Sequence, residues 1–204
     1  MQGGLEKPHL IAFQTARLKA DYRDFVEDER HARLASFFFG QVYTAGSTAR
    51  RDAAFFKLRS FVADRLGKKL ALRLDGLARL HEMTNRMDEL LLEKMRTLGL
   101  DPDFSVEQYE EAYRLCSNYD DRMEQVRGLT EAMDFFWRLA RAPMVGVWLK
   151  VAKRMARVVG AEDFVRFLDD GYESFRRVRS IDRFRRAIRE REVARLDHIF
   201  GTTE

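Results

Sequence analysis

Few residues in this chain have a type and spacing suited to catalysis. The one cysteine, Cys116, falls on the same helical stripe as Val106, Tyr109 and Tyr113. A thiol buried among apolar groups has a raised pKa and little reactivity. No G-x-S-x-G elbow occurs, and Gly46-Ser47 lacks the strand and second glycine that would expose a nucleophilic serine. Gly67-Lys68-Lys69 lacks the upstream glycine and following hydroxyl of a phosphate loop. Metal ligation is the more open question, because helical bundles collect carboxylates and imidazoles from facing helices. Asp28 and His31 stand three apart, and His81 sits on a long helical pattern with Glu82 beside it and Asp88 two turns on. A di-iron bundle needs two Glu-x-x-His pairs and two further inward carboxylates, a set the sequence does not supply. Asp28, His31 and His81 are the metal or haem candidates, against a plainer reading of them as hydrogen-bonded polar residues. No catalytic residue and no cofactor is expected.

Two basic strips and an aromatic cluster could bind something. Lys150, Lys153, Arg154 and Arg157 recur at spacings of three and four on an otherwise apolar helix. Such a helix can lie in an anionic membrane interface with its lysines snorkelling. As the most apolar helix of the chain it is read instead as a core helix with a narrow solvated strip. Arg179, Arg183 and Arg186 stack along the last helix, an arrangement able to neutralise phosphates. Arginine outnumbers lysine 29 to 8 throughout the chain, and Glu190 and Glu192 interrupt the row, so a solvated face is the reading here. Phe136, Trp137, Phe164, Phe167, Tyr172 and Phe175 could line an apolar pocket between helices. At helical spacing they read first as core.

The elements that must position these residues are helices. Apolar residues recur at three and four almost everywhere, and no run alternates with period two. Helices are predicted over about 5–28, 31–43, 48–66, 70–98, 105–116, 121–141, 143–159, 164–178 and 181–199. The first should turn Leu10, Phe13, Ala16 or Arg17, Ala20 and Val26 inward. The third carries Ala54, Phe55, Leu58, Phe61, Val62 and Leu66 on one side. Ser105-x-x-Gln108 has the form of a capping box, and Gly99 ends the long helix before it. The last helix should bury Ile181, Phe184, Ile188, Leu196 and Ile199.

The expectation is a single all-α domain over 1–204, a bundle of eight or nine helices with short connections. The length of 204 residues is enough to bury a sizeable core, and 16 Phe exclude a disordered chain. One cysteine excludes a disulfide framework. Charges interrupt every apolar stretch, and MQGGLEKPHL lacks the apolar core of a signal peptide, so a cytoplasmic location is expected. The net charge of +4 conceals a strong asymmetry. Residues 1–100 carry 18 basic and 13 acidic side chains (+5), residues 101–137 carry 3 and 10 (−7), and residues 138–204 carry 16 and 10 (+6).

Phe37-Phe38-Phe39-Gly40-Gln41-Val42-Tyr43, followed by Arg51-Asp52, resembles the signature of the bacterial FFLEELY-motif proteins. The resemblance continues through Tyr109-Glu110-Glu111-Ala112-Tyr113, Arg141-Ala142-Pro143, residues 164–175 and Ile188-Arg189-Glu190-Arg191-Glu192. It spans roughly residues 30 to 200 and implies a helical bacterial protein, with no reaction or cofactor to transfer. Gly40 and Gln41 stand where that family has two acidic residues, so any chemistry of those carboxylates is absent here. The motif is read as packing a helix end.

The expected function is a non-enzymatic interaction or scaffold protein that self-associates as a homo-oligomer, a dimer in the simplest case, or binds a protein partner. The alternatives are a ligand-binding or metal- or haem-dependent bundle enzyme, and a peripheral binder of anionic membrane or nucleic acid.

Overall fold

Two long helices run antiparallel through the molecule and carry a core at each end. The computed structural model describes residues 4–42, 68–159 and 162–202, with the side chains of 41, 42, 68–74, 77, 155–159, 163 and 164 excepted. The helix predicted over 48–66, with its stripe from Ala54 to Leu66, lies outside the described residues. The others, in chain order, are α1 (Lys7–Asp21), α2 (Arg23–Val26), α3 (Ala32–Phe37), which continues into a π-helical turn (Phe38–Val42), and α4 (Lys68–Thr97). Then follow α5 (Val106–Leu115), α6 (Tyr119–Leu139), α7 (Val145–Val159), α8 (Glu162–Arg177) and α9 (Asp182–Phe200). The described residues contain no strand, and the fold is an all-α bundle.

The spine is α6 against α9. Tyr119 at the start of α6 donates to Asp197 near the end of α9 (2.6 Å), and Arg185 near the start of α9 donates to Asp134 late in α6 (2.6 Å). One core gathers around the end of α6 and the start of α9: Tyr22, Phe25, Phe37, Phe38, Phe39, Phe175, Phe184 and Ile188. The other gathers around the start of α6 and the end of α9: Leu10, Leu91, Met95, Tyr109, Tyr113, Leu196 and Ile199. The expected inward residues of α9 are all buried.

Local sequence sets the ends of the elements. Ser105 Oγ accepts from the Gln108 amide (3.3 Å), while the Ser105 amide donates to Gln108 Oε1 (2.8 Å), completing the capping box at α5. Gly99 and Gly201 close α4 and α9 at φ +70° and +69°, the left-handed region where a Cβ is penalised.

Three expectations need correction. The first helix ends at Asp21, because Tyr22 leaves helical geometry (φ −115°, ψ 27°) to place its ring in the aromatic core. The buried face of α1 is Leu10, Gln14, Thr15 and Leu18, while Ala16 and Ala20 are exposed. A wheel drawn on apolarity alone misses it, since Gln14 is polar yet donates to Asp88 (3.3 Å) and Tyr109 (3.4 Å) inside the fold. Val106, expected inward, is exposed on α5.

The consecutive phenylalanines explain the shape of α3. Phe37, Phe38 and Phe39 are all buried. Phe37 faces Phe167 and Phe175, Phe38 and Phe39 face Phe184, and Phe39 also meets Tyr22. A helix end enclosed on three sides can bury three adjacent rings, which an isolated amphipathic helix cannot. A Cβ at Gly40 would have no neighbour within 4 Å, so that position is open to a side chain.

Candidate interaction surface

α7 is the helix whose sequence and placement disagree most. It was expected in the core, yet Met144, Val147 and Val151 are 52%, 51% and 48% exposed and follow one another at spacings of three and four. It packs against α8, where Gly146 faces Tyr172, and Leu149 is buried. A Cβ at Gly146 would stand 2.6 Å from the Tyr172 hydroxyl, so the absence of a side chain lets the two helices approach. The apolar residues of α7 therefore point both inward and outward. Clustered apolar exposure of this kind marks an interaction site more often than scattered single residues do.

The basic strip flanks that apolar line. Lys150 and Arg154 are exposed and have no carboxylate partner among the described residues, whereas Lys153 is held by Asp169 at 2.6 Å. The side chain of Arg157 lies outside the described residues. The outward surface of α7 is thus half aliphatic and half cationic.

The arginines of α9 behave differently. Arg183 donates to Asp28 (3.1 Å) and lies over the Phe25 ring, Arg191 clasps Asp24 (2.8 and 2.9 Å), and Arg195 pairs with Asp21 (2.7 Å). Hydrogen bonding from Arg191 holds Asp24 below the usual carboxylate range. Arg179 and Arg186 are exposed, and Arg186 borders an open depression of about 360 Å³ with Arg191 and Glu190. Of the row Arg179, Arg183 and Arg186, Arg183 is engaged within the fold and the other two are exposed.

Asp28 and His31 do come together, with His31 Nδ1 2.7 Å from Asp28 Oδ2, but Arg183 shares that carboxylate and Phe25 meets the imidazole edge-on. The hydrogen bond to His31, then the Arg30 amide, pulls the Asp28 pKa down. His81 is exposed and bonds Asn85 at 3.0 Å. The Glu-x-x-His at Glu6–His9 is a helix cap, the Glu6 amide donating to His9 Nδ1 (3.1 Å). No three His, Cys, Asp or Glu side chains gather as a metal site among the described residues.

The aromatic candidates pack rather than enclose space. Phe136, Trp137, Phe167 and Tyr172 lie against the core that contains Phe175, and Trp137 donates to the Val178 carbonyl at 3.2 Å. The side chain of Phe164 lies outside the described residues. Cys116 is buried, and burial raises its thiol pKa.

A family model described as "Domain of unknown function (DUF8198)" matches residues 5–204. The chain belongs to that family. No curated protein and no solved structure matches it. The DUF8198 match takes in every helix described above, α7 included, so the exposed face belongs to the family domain rather than to an appendage. No described helix of this DUF8198 chain is long and apolar enough to cross a membrane.

Sequence reasoning missed a buried polar group at the other end of this DUF8198 fold. Gln14, Asp88 and Arg122 are all buried, and Arg122 donates to the Met87 carbonyl (3.2 Å) and lies over the Tyr113 ring. Burial raises the Asp88 pKa, with Arg122 opposing. The available signal was position. Asp88 follows Met87 on the Leu91–Met95 stripe, and Arg122 stands four before Val126.

Proposed function

We propose that this chain is a bacterial, cytoplasmic interaction protein of the FFLEELY-motif type that self-associates through the outward face of α7. The observation that carries this reading is the line Met144, Val147 and Val151, half exposed on a helix whose other face already has a neighbour. Removing such a line from water in a contact between copies is favourable at about 25 cal/mol per Å² of apolar area. Mass measurement across micromolar concentrations tests it. Wild type should associate as concentration rises, and Val147→Glu with Val151→Glu should remain monomeric with unchanged helical content. A strict monomer at every concentration refutes the reading.

Lys150 and Arg154 favour a second reading, adsorption to an anionic surface. Its signature is binding to anionic vesicles that weakens from low to moderate salt.

A further inference from the structure

The surface that fits α7 is present elsewhere on the same chain. α7 carries four basic residues and no acidic one, while residues 101–137 carry ten acidic and three basic. On α5, Glu107, Glu111 and Leu115 share one exposed line at spacings of four, with Leu115 50% and Val106 49% exposed. Asp120, Asp121 and Glu124 are exposed on the first turns of α6. This face is also half aliphatic and half charged, with the opposite sign.

Resting on the self-association reading above, we propose that α7 of one copy seats on the α5–α6 acidic face of a second copy. Two α7 faces brought together would oppose Lys150 and Arg154 with the same cations, and like charges across an interface disfavour pairing. The acidic face supplies carboxylates for those cations and aliphatic groups for Val147 and Val151. An anionic lipid surface would satisfy the cations too. The apolar line facing it, however, is aliphatic, and Trp148, the anchor suited to a bilayer interface, is half-buried.

The position of the two faces fixes the kind of contact. α7 sits on α8 at the aromatic end of the spine, and α5 packs at the opposite end, on α4 and the last turns of α9. A contact between them joins different patches on the two copies: made reciprocally about a two-fold axis it closes a dimer, and made once per copy it builds rings or filaments.

Two charge-reversed variants of the full chain test this: Lys150→Glu/Arg154→Glu, and Glu107→Lys/Glu111→Lys. All four positions are exposed, so folding should be retained, and circular dichroism checks it. Each variant alone should raise the apparent dissociation constant by about tenfold or more. An equimolar mixture should regain association, because an acidic face again meets a basic one. If Glu107→Lys/Glu111→Lys associates as wild type does while Val147→Glu/Val151→Glu stays monomeric, the acidic face is not the seat and only self-association through α7 survives. If the mixture stays monomeric, the pairing is overturned. A wild type that is monomeric in solution but binds phosphatidylserine vesicles assigns α7 to a membrane and overturns both readings. A monomer destabilised by Val147→Glu assigns the face to an intramolecular contact and also overturns both.

Discussion

The two ends of the spine solve the same problem with opposite chemistry. At the aromatic end the core is built of apolar side chains, and the charges stand outside it. Arg183 and Arg191 lie over the rings of Phe25 and Tyr22 while holding Asp28 and Asp24. At the other end the charges are inside, Asp88 and Arg122 being buried together with Gln14, which bonds Tyr109, while Arg122 lies over the Tyr113 ring. A charge over a ring at the surface keeps part of its hydration and gains from the quadrupole. A buried charge loses its hydration and depends wholly on its partners. The first end should therefore be sensitive to shape, the second to protonation.

Truncating the aromatic core should give the largest effect. Phe184 is fully buried and meets the rings of Phe25, Phe38 and Phe39, so Phe184→Ala should cost about 3–5 kcal/mol in urea unfolding. A loss below about 1 kcal/mol would remove the claim that this core depends on fit. Next comes overpacking. A Cβ at Gly171 would stand 2.9 Å from Cζ of Phe37, so Gly171→Ala should cost roughly 1–3 kcal/mol. Gly128→Ala, whose Cβ would meet the Leu80 side chain with its nearest methyl at 3.1 Å, should be far milder, since helix propensity offsets it by up to about 1 kcal/mol.

The pH comparison is smaller but separates the ends most cleanly. Burial raises Asp88 above its unfolded pKa, so its contribution is fully present below the ordinary carboxylate range and lost as pH rises through the folded value. Asp24 is held low by Arg191, so its contribution is present above that range and lost as pH falls through the depressed value. Asp88→Asn should flatten the stability profile on the rising-pH side and leave the acid limb intact. Thermal unfolding across pH 3 to about 8 reads both limbs; an unchanged profile would contradict the buried-charge account. Ser105→Ala should have the least effect, about 1 kcal/mol, through loss of one half of the capping box at α5. Differential scanning calorimetry resolves a change of that size.

What was legible in the sequence follows the same division. The inward line of α9 and the capping box at Ser105 depend on local spacing, and both stand in the structure. The buried face of α1 was misread because Gln14 belongs inside only by virtue of Asp88, 74 residues away. α7 was misplaced because apolarity tells how much of a helix avoids water but not which neighbour covers it. The arginines of α9 read as a solvated face, and nothing local reveals that Asp21, Asp24, Asp28 and Asp134 stand opposite several of them. Asp28 and His31, offered by their spacing as metal candidates on a continuous helix, meet instead across a turn, with Arg183 sharing the carboxylate and Phe25 against the imidazole.

The docking of α1 and α2 on α9 has a consequence for the growing chain. Tyr22 reaches the Ile188 carbonyl across 166 residues, and Arg17 reaches Glu192 across 175. At translation rates of about 5–20 residues per second, the early segments wait roughly ten to thirty seconds for that partner. Throughout this interval Phe25, Phe38 and Phe39 lack Phe184, the ring that completes their enclosure. The nascent chain thus holds these rings without that partner until α9 is made, available meanwhile to a chaperone or to another ribosome's product.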